Sequence, residues 1–152
     1  MVVFLDTSVL GYVTHPKGNA KASQCTQWLV DLLSYGNRVC IPEVCDFELR
    51  REYVRRKAIE PLEKLDALKK TLEYIPINTL MMHRAADLWA HARNMGRPTA
   101  DQNELDVDVI LAAQGQYIAA GEDNLVIATS NVGHLSIFAD ARLFEDIPPR
   151  VS

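Results

Sequence analysis

The sequence predicts an α/β protein in which helices cover both faces of a mainly parallel sheet of roughly five strands. Short, predominantly apolar runs at residues 2–5 (VVFL) and 125–129 (LVIAT) are typical of central strands that are covered on both faces. Segments with helical patterns separate the runs of this kind, and such alternation is typical of parallel strands joined by crossover helices. We therefore expect a three-layer α/β/α sandwich.

Turn and capping residues divide the chain into these elements. Asp6-Thr7-Ser8 can end the first strand and cap a helix, and Gly36 and Gly96 are helix stop signals. Pro42 suits the first turn of a helix, whereas Pro76 favours an edge position for its strand. Predicted helices occupy 20–35, 43–58, 61–72, 79–95 and 106–120. Predicted strands occupy 2–5, 38–41, 73–77, 125–129 and a segment near 143–147, and 97–104 is a polar loop.

Length and composition are those of one ordinary globular domain, which we expect to span residues 1–152. Hydrophobic residues make up 48% and charged residues 24% of the chain, so a packed core can form without crosslinks. The formal net charge is −4. Because proteins that hold nucleic acid by bulk electrostatics are usually basic, any such contact here needs a local basic patch or a bridging cation.

The cysteines and the N-terminus indicate a cytoplasmic protein. Cys25, Cys40 and Cys45 are odd in number and form no C-x-x-C pair, which argues against a disulfide framework or a zinc cluster. Met1 leads directly into the first strand without a basic signal-peptide region. No apolar run approaches the ~20 residues that cross a bilayer, so we expect a soluble protein that does not engage membranes.

Acidic residues are expected at one edge of the sheet. Ligands of open parallel sheets bind beyond the carboxyl ends of the strands. Asp6 follows the first strand there, and Asp106 and Asp108 begin the helix that precedes the strand at 125–129. Asp108 lies in the apolar segment D-V-I-L-A-A, where burying an unpartnered carboxylate is costly and a cation such as Mg²⁺ or Mn²⁺ would offset that cost.

Each acid also has a purely structural interpretation. Asp106 is better explained as a helix cap, and for Asp6 the cap and the metal ligand are equally supported. For Asp108 the pattern favours the metal. The predicted helix at 43–58 carries four acids, and the pattern does not single out one of them because a solvated, ion-paired helix face would look the same. These acids are Glu43, Asp46, Glu48 and Glu52.

Taken together, these motifs resemble those of PIN-domain proteins, and of VapC-type toxins of bacterial toxin–antitoxin pairs in particular. The resemblance covers nearly the whole chain and rests on the order and spacing of short motifs. They are the apolar strand followed by D-T-S, Glu48-Leu49, Gly96-Arg97-Pro98, D-V-I-L-A-A at 108–113, T-S-N at 129–131 and His134-Leu135.

The resemblance implies RNA cleavage that depends on Mg²⁺ or Mn²⁺. Matched residue by residue, Asp6, Glu48 and Asp108 are the first three acidic metal ligands, and the fourth acidic position falls at Asn131. One negative charge is therefore missing, so we expect one well-held metal, with Asp106 as a further candidate ligand. Asn131 would orient water or phosphate. The resemblance also implies a small antitoxin partner and a homodimer.

Candidate RNA contacts lie around these acids. Thr7 and Thr129 match small hydroxyl residues that line the site in the family, and Ser130 is a further candidate. Arg51 and Arg55 belong to a basic stretch that could bind RNA phosphates, although an ion-paired helix face explains that stretch equally well. Arg97 is a second basic candidate, beside the polar loop.

Two other functions remain to be weighed. A module that binds RNA or an antitoxin without effective catalysis is favoured by Asn131, the missing acid. A phosphoacceptor receiver domain is another α/β fold with acids at strand ends. It requires a central strand that ends in Asp and a late Lys, but no predicted strand after the first ends in Asp and no Lys follows Lys70.

Overall fold

The computed structural model describes residues 1–15, 19–96, 102–120 and 124–150, apart from the side chains of 102–104. Within these ranges the strands are β1 (Val2–Leu5), β2 (Arg38–Pro42), β3 (Glu73–Ile75), β4 (Leu125–Ala128) and β5 (Ala141–Arg142). The helices are α1 (Thr7–Thr14), α2 (Ala20–Ser34), α3 (Glu43–Arg56), α4 (Ile59–Thr71), α5 (Thr79–Asn94), α6 (Gln102–Ala119) and α7 (Val132–Leu135). A 3₁₀ helix covers Phe144–Asp146.

The five strands form one sheet in the order β3-β2-β1-β4-β5, and every neighbouring pair is parallel. The central strand β1 is buried along its whole length. Since successive strand residues point to opposite faces, this burial means that both faces of the sheet are covered. The predicted fold class, a parallel α/β sandwich, is confirmed.

The last predicted strand, near 143–147, is wrong. Strand β5 ends at Arg142, and the following residues form the 3₁₀ helix instead of extending the sheet. Phe144 and Ile147 are buried and pack against α2. The Trp28 indole N–H donates to the Ile147 carbonyl at 2.8 Å, and the Trp28 ring packs on Phe144. Burial by tertiary packing produced an apolar pattern that resembles a strand.

Helix α6 begins earlier than predicted. It starts at Gln102, inside the predicted polar loop at 97–104, and residues 97–101 lie outside the described part of the chain. Gln and Glu are good helix formers, so a polar stretch of this kind can continue a helix without an apolar face. Asp106 and Asp108 therefore lie within the helix and not in its first turn. The cap interpretation of Asp106 is wrong.

The helices found in the described ranges include none that combines the length and the apolar character needed to span a bilayer. The apolar core extends on both sides of the central strand β1. A smaller apolar cluster joins α5 to α6, with Leu88, Ala92, Leu105 and Val109 among its buried members.

Candidate active site

Four parts of the chain meet in a cavity of about 300 Å³ at the carboxyl end of β1 and β4. Its walls come from the start of α1, the middle of α3, the interior of α6 and the turn after β4. Among the described residues, its lining consists of Asp6, Thr7, Ser8, Glu48, Val107, Asp108, Ser130 and Asn131. The structure thus brings together the four residues that the sequence assigned to the site, although they are far apart along the chain.

Asp6 is held by donors on both carboxylate oxygens. It is the N-cap of α1, and its Oδ1 accepts a 2.7 Å hydrogen bond from the Thr7 backbone N–H. The Cys45 thiol lies 3.6 Å from the same oxygen, and the Thr129 hydroxyl donates to Oδ2 at 2.6 Å. Capping and a place in the site are therefore compatible for this residue.

Burial raises the pKa of Asp6 above its ordinary value, and the negative charge of Glu48 raises that pKa further. The hydrogen bonds from Thr129, Thr7 and Cys45 favour the carboxylate and oppose the shift without cancelling it. The carboxylate form of Asp6 is consequently destabilised by the loss of solvation and by the negative charge of Glu48. A cation in the cavity would relieve both effects.

Glu48 is distinguished from the other acids of α3 by the direction in which the helix presents it. Glu48 lines the cavity, whereas Glu43 accepts hydrogen bonds from the Ile77 backbone N–H and the Tyr74 hydroxyl. The other two acids form ion pairs with basic side chains. Asp46 pairs with Arg50 and Lys69, and Glu52 pairs with Arg55 and Arg56. The rotation of α3 about its axis and the position of each acid along that axis together separate these four carboxylates, since Glu52 shares the face of Glu48 but lies one turn further on.

Asp108 and Asp106 lie on different sides of α6. Asp108 lines the cavity with Asp6 and Glu48. Asp106 is exposed and borders a separate apolar groove between α5 and α6, which Trp89 and Ile110 also line. The suggestion that Asp106 is a further ligand in the same site is wrong, because residues two apart on a regular helix face different directions.

The segment after β4 forms the rim of the cavity. The Asn131 backbone N–H donates to the Thr129 hydroxyl at 2.9 Å, and the Ser130 N–H donates to the Ser8 hydroxyl at 3.1 Å. The Asn131 side-chain amide nitrogen is 2.9 Å from His134 Nδ1. At the position that matches the fourth acid of the family, the cavity is therefore lined by the neutral side chain of Asn131.

Two residues at or beside the cavity, Ser8 and Cys45, were not predicted as site residues from the sequence. Ser8 directly follows the D-T pair, so its proximity to Asp6 was a usable signal. Cys45 precedes Glu48 by three residues and thus shares its side of α3. Burial raises the pKa of the Cys45 thiol well above its usual range, so it is a neutral hydrogen-bond donor and not a thiolate ligand.

The basic candidates differ in their distance from the cavity. Arg51 lies 3.8 Å from Glu48 and also stacks on the exposed Phe47 ring. Arg55 is exposed and pairs with Glu52, away from the residues that line the cavity. Arg97 lies outside the described residues. Arg51 therefore lies beside Glu48, one of the predicted metal ligands.

The donors in the cavity suit a hard divalent cation that keeps part of its water shell. Three carboxylates and several hydroxyl or amide oxygens surround the space, and Mg²⁺ typically binds through one or two carboxylates while retaining several waters. Among the residues that the structure describes, no three His, Cys, Asp or Glu side chains are grouped so that they could hold a metal ion between them.

Comparisons with known proteins bear on the family and the fold of the chain. A PIN domain family model matches residues 3–132, while a search of curated proteins finds no match. Similar solved chains come from VapBC2 of Rickettsia felis bound to a promoter DNA fragment (TM-score 0.67, 19% identity) and VapBC-1 of nontypeable Haemophilus influenzae (0.67, 15%). A third comes from DNA-bound VapBC of Salmonella typhimurium (0.61, 18%).

The likeness to these structures extends over almost the full length of both chains in each comparison. It covers 94%, 96% and 94% of this chain and 97%, 100% and 96% of the respective solved chains. At such low identity the likeness to solved structures shows only the fold. Membership of a family is shown instead by the family model, which matches residues 3–132. The chain belongs to the PIN domain family.

Proposed function

We propose that the chain is an endoribonuclease that depends on Mg²⁺ or Mn²⁺ and hydrolyses RNA phosphodiester bonds as the toxin of a type II toxin–antitoxin pair. The observation that carries this proposal is the convergence of Asp6, Glu48 and Asp108, from three separate elements, on one solvent-accessible cavity. The raised pKa of Asp6 supports it, since such a site is completed by positive charge.

Each residue has a role that follows from its position. Asp6 and Asp108 would hold the cation, and Glu48 would hold it or one of its waters. When bound, the cation would activate a water molecule and neutralise charge on the scissile phosphate. Thr129 holds the Asp6 carboxylate in place, whereas Asn131 and Ser130, at the rim, can orient water or phosphate. Thr7 adds a hydroxyl to the same wall.

RNA would approach along the side of α3 that carries Arg51. The net charge of −4 disfavours nonspecific attraction to RNA by the protein as a whole, so we assign the affinity to a few local phosphate contacts and to the cation itself. Arg51 is half-exposed and adjacent to Glu48, which suits a phosphate next to the scissile one. Arg55 and Arg97 are secondary candidates for contacts with the phosphates of the RNA backbone.

A protein partner and a second copy belong to the proposal. The similar solved chains come from VapBC complexes, and we infer that this chain also binds a small antitoxin. A guanidinium group of that partner would suit the carboxylates of Asp6 and Asp108. Exposed apolar side chains on α2 and α5 offer surface for a homodimer: Val30, Leu33, Leu80 and Met82. A cytoplasmic location follows from this role.

The second candidate is a catalytically weak module that binds RNA or the antitoxin. Asn131 favours it, because a neutral amide replaces the fourth acid and therefore weakens the attraction for a cation. In this candidate the same cavity binds a partner, but RNA remains uncut.

The test is cleavage of RNA by purified protein with added Mn²⁺ or with chelator, using two matched pairs of variants. Asp108→Asn and Glu48→Gln should abolish cleavage. Asp106→Asn on α6 and Glu52→Gln on α3 should retain it, because these two residues do not line the cavity. Cleavage that survives chelation, or that all four variants share, contradicts the proposal. Binding of RNA without cleavage under every condition favours the second candidate.

A further inference from the structure

Gln114 is a fully buried polar residue in the C-terminal half of α6, and both ends of its amide form hydrogen bonds. Its Nε2 donates a 2.8 Å hydrogen bond to the Ile75 carbonyl at the end of β3. Its Oε1 accepts from the Val44 backbone N–H, in the first turn of α3, at 3.3 Å. Because one partner only accepts and the other only donates, the orientation of the amide is defined.

The contact with Val44 has the character of a helix cap supplied from a distance. The first N–H groups of a helix have no partner within that helix. The N-cap residue of α3 is Pro42, which provides no side-chain cap hydrogen bond. Gln114 supplies an acceptor that the local sequence lacks, so α6 caps α3.

This tie joins the two helices that carry Glu48 and Asp108. At ~1.5 Å of rise per residue, Val44 lies about 6 Å from Glu48 along α3, and Gln114 lies about 9 Å from Asp108 along α6. The bond to Ile75 anchors the same amide to the sheet. A side chain that does not line the cavity therefore links the two helices that present these carboxylates to it.

We propose that Gln114 is a positioning residue of the metal site, which holds Glu48 and Asp108 at their working separation by capping α3 from α6. The inference rests on the proposed function, since it concerns the cation that these carboxylates would bind. Partners that orient metal ligands typically contribute a factor of 10–100 to metal affinity.

The test compares Gln114→Met with Tyr53→Phe. Methionine has a similar volume but forms neither hydrogen bond, whereas Tyr53→Phe removes a buried 2.7 Å hydrogen bond to Thr14 toward the other end of α3. Calorimetric titration of the RNA-free protein with Mn²⁺ should give an affinity lowered roughly 10- to 100-fold in Gln114→Met. Tyr53→Phe should keep the wild-type affinity, even if both variants lose similar thermal stability.

A second measurement needs no metal. Hydrogen exchange at the Val44 amide should accelerate in Gln114→Met and remain unchanged in Tyr53→Phe, because only the first variant removes its acceptor. Wild-type exchange and Mn²⁺ affinity in Gln114→Met, or equal affinity losses in both variants, would overturn the inference alone. If Asp6→Asn and Glu48→Gln bind Mn²⁺ with the affinity of the wild type, the proposed function is overturned and the inference with it.

Discussion

The Thr129 hydroxyl donates a 2.6 Å hydrogen bond to Asp6 Oδ2, although 123 residues separate the two in the chain. Strand register explains this contact. Leu5 and Ala128 are partners in the parallel pair β1–β4, so the residues that follow them emerge side by side at the carboxyl edge of the sheet. The contact between Asp6 and Thr129 is thus a direct consequence of strand pairing.

We predict that Thr129→Val lowers RNA cleavage roughly 10- to 100-fold, the usual effect of removing a group that orients a metal ligand. Valine preserves the shape of the side chain but leaves Oδ2 of Asp6 without its donor. Thr129→Ser is the matched control and should retain most of the activity. Steady-state cleavage rates of the three proteins decide the matter, and equal rates for Val and Ser would contradict this role of the hydroxyl.

The raised pKa of Asp6 predicts how stability without metal depends on pH. Between the ordinary value of 3.8 and the higher folded-state pKa, the folded chain binds more protons at this residue than the unfolded chain. The contribution of Asp6 to stability therefore decreases as pH rises through that window and stays unfavourable above it. In urea denaturation with chelator, Asp6→Asn should lose less stability than wild type over the same rise in pH.

A bound cation should stabilise the wild type more than Asp6→Asn, because it offsets the cost of the buried Asp6 carboxylate. At a Mn²⁺ concentration of about 100 times Kd, the wild type should gain about 2.7 kcal/mol, or roughly 5–10 °C in Tm for a chain of this size. Asp6→Asn should gain little. Equal stabilisation of both proteins would show that Mn²⁺ binds elsewhere.

Asn131→Asp is predicted to change stability in opposite directions with and without metal. An added carboxylate supplies the missing fourth acid, so Mn²⁺ should bind about tenfold more tightly, because charge count tunes the affinity of such sites. Without metal, the new charge adds repulsion near Asp6 and Glu48 and should lower Tm. Calorimetric titration and thermal melts measure both effects. Unchanged affinity would exclude Asn131 from the coordination of the cation.

Asp46 should matter for stability and not for catalysis. It is buried, accepts hydrogen bonds from Arg50 at 3.0 Å and from the Tyr74 hydroxyl at 2.7 Å, and lies 3.5 Å from Lys69. Arg50 and Lys69 remain about one-third exposed, and Arg50 keeps a second ion pair with Asp66 at 2.8 Å. Asp46→Ala should therefore lower the free energy of unfolding by about 1–3 kcal/mol, the cost of lost buried hydrogen bonds and not that of a stranded buried charge. Cleavage per folded molecule should be unchanged.

The control for Asp46 is the exposed pair Asp140–Arg142, with N···O 3.0 Å. Asp140→Ala should cost less than about 1 kcal/mol, since surface ion pairs contribute little. Urea denaturation compares the two variants. Similar losses would mean that burial does not strengthen the Asp46 network, and a selective loss of cleavage in Asp46→Ala would assign it to the site.

Most of the fold was predictable because its signals are local. Apolar runs mark β1 and β4, and glycine and proline mark the ends of several helices, so the alternation of strands and helices can be read without knowing the contacts. The segment at 143–147 failed for the opposite reason. Phe144 and Ile147 are buried and pack against α2, and a pattern of apolar residues does not reveal which element covers them.

The sequence by itself determined the parallel α/β class and placed Asp6 at a strand end and Asp108 in a buried helix, because strand runs and misplaced charges are visible in one dimension. Tertiary structure alone decided that Glu48 faces the cavity while Glu43, Asp46 and Glu52 do not, and that Asp106 faces away. These choices depend on the rotation of α3 and α6 about their axes and on where each acid lies along its helix. Contacts between distant residues, such as Gln114 with Val44, contribute to that placement, and a single chain segment does not reveal them.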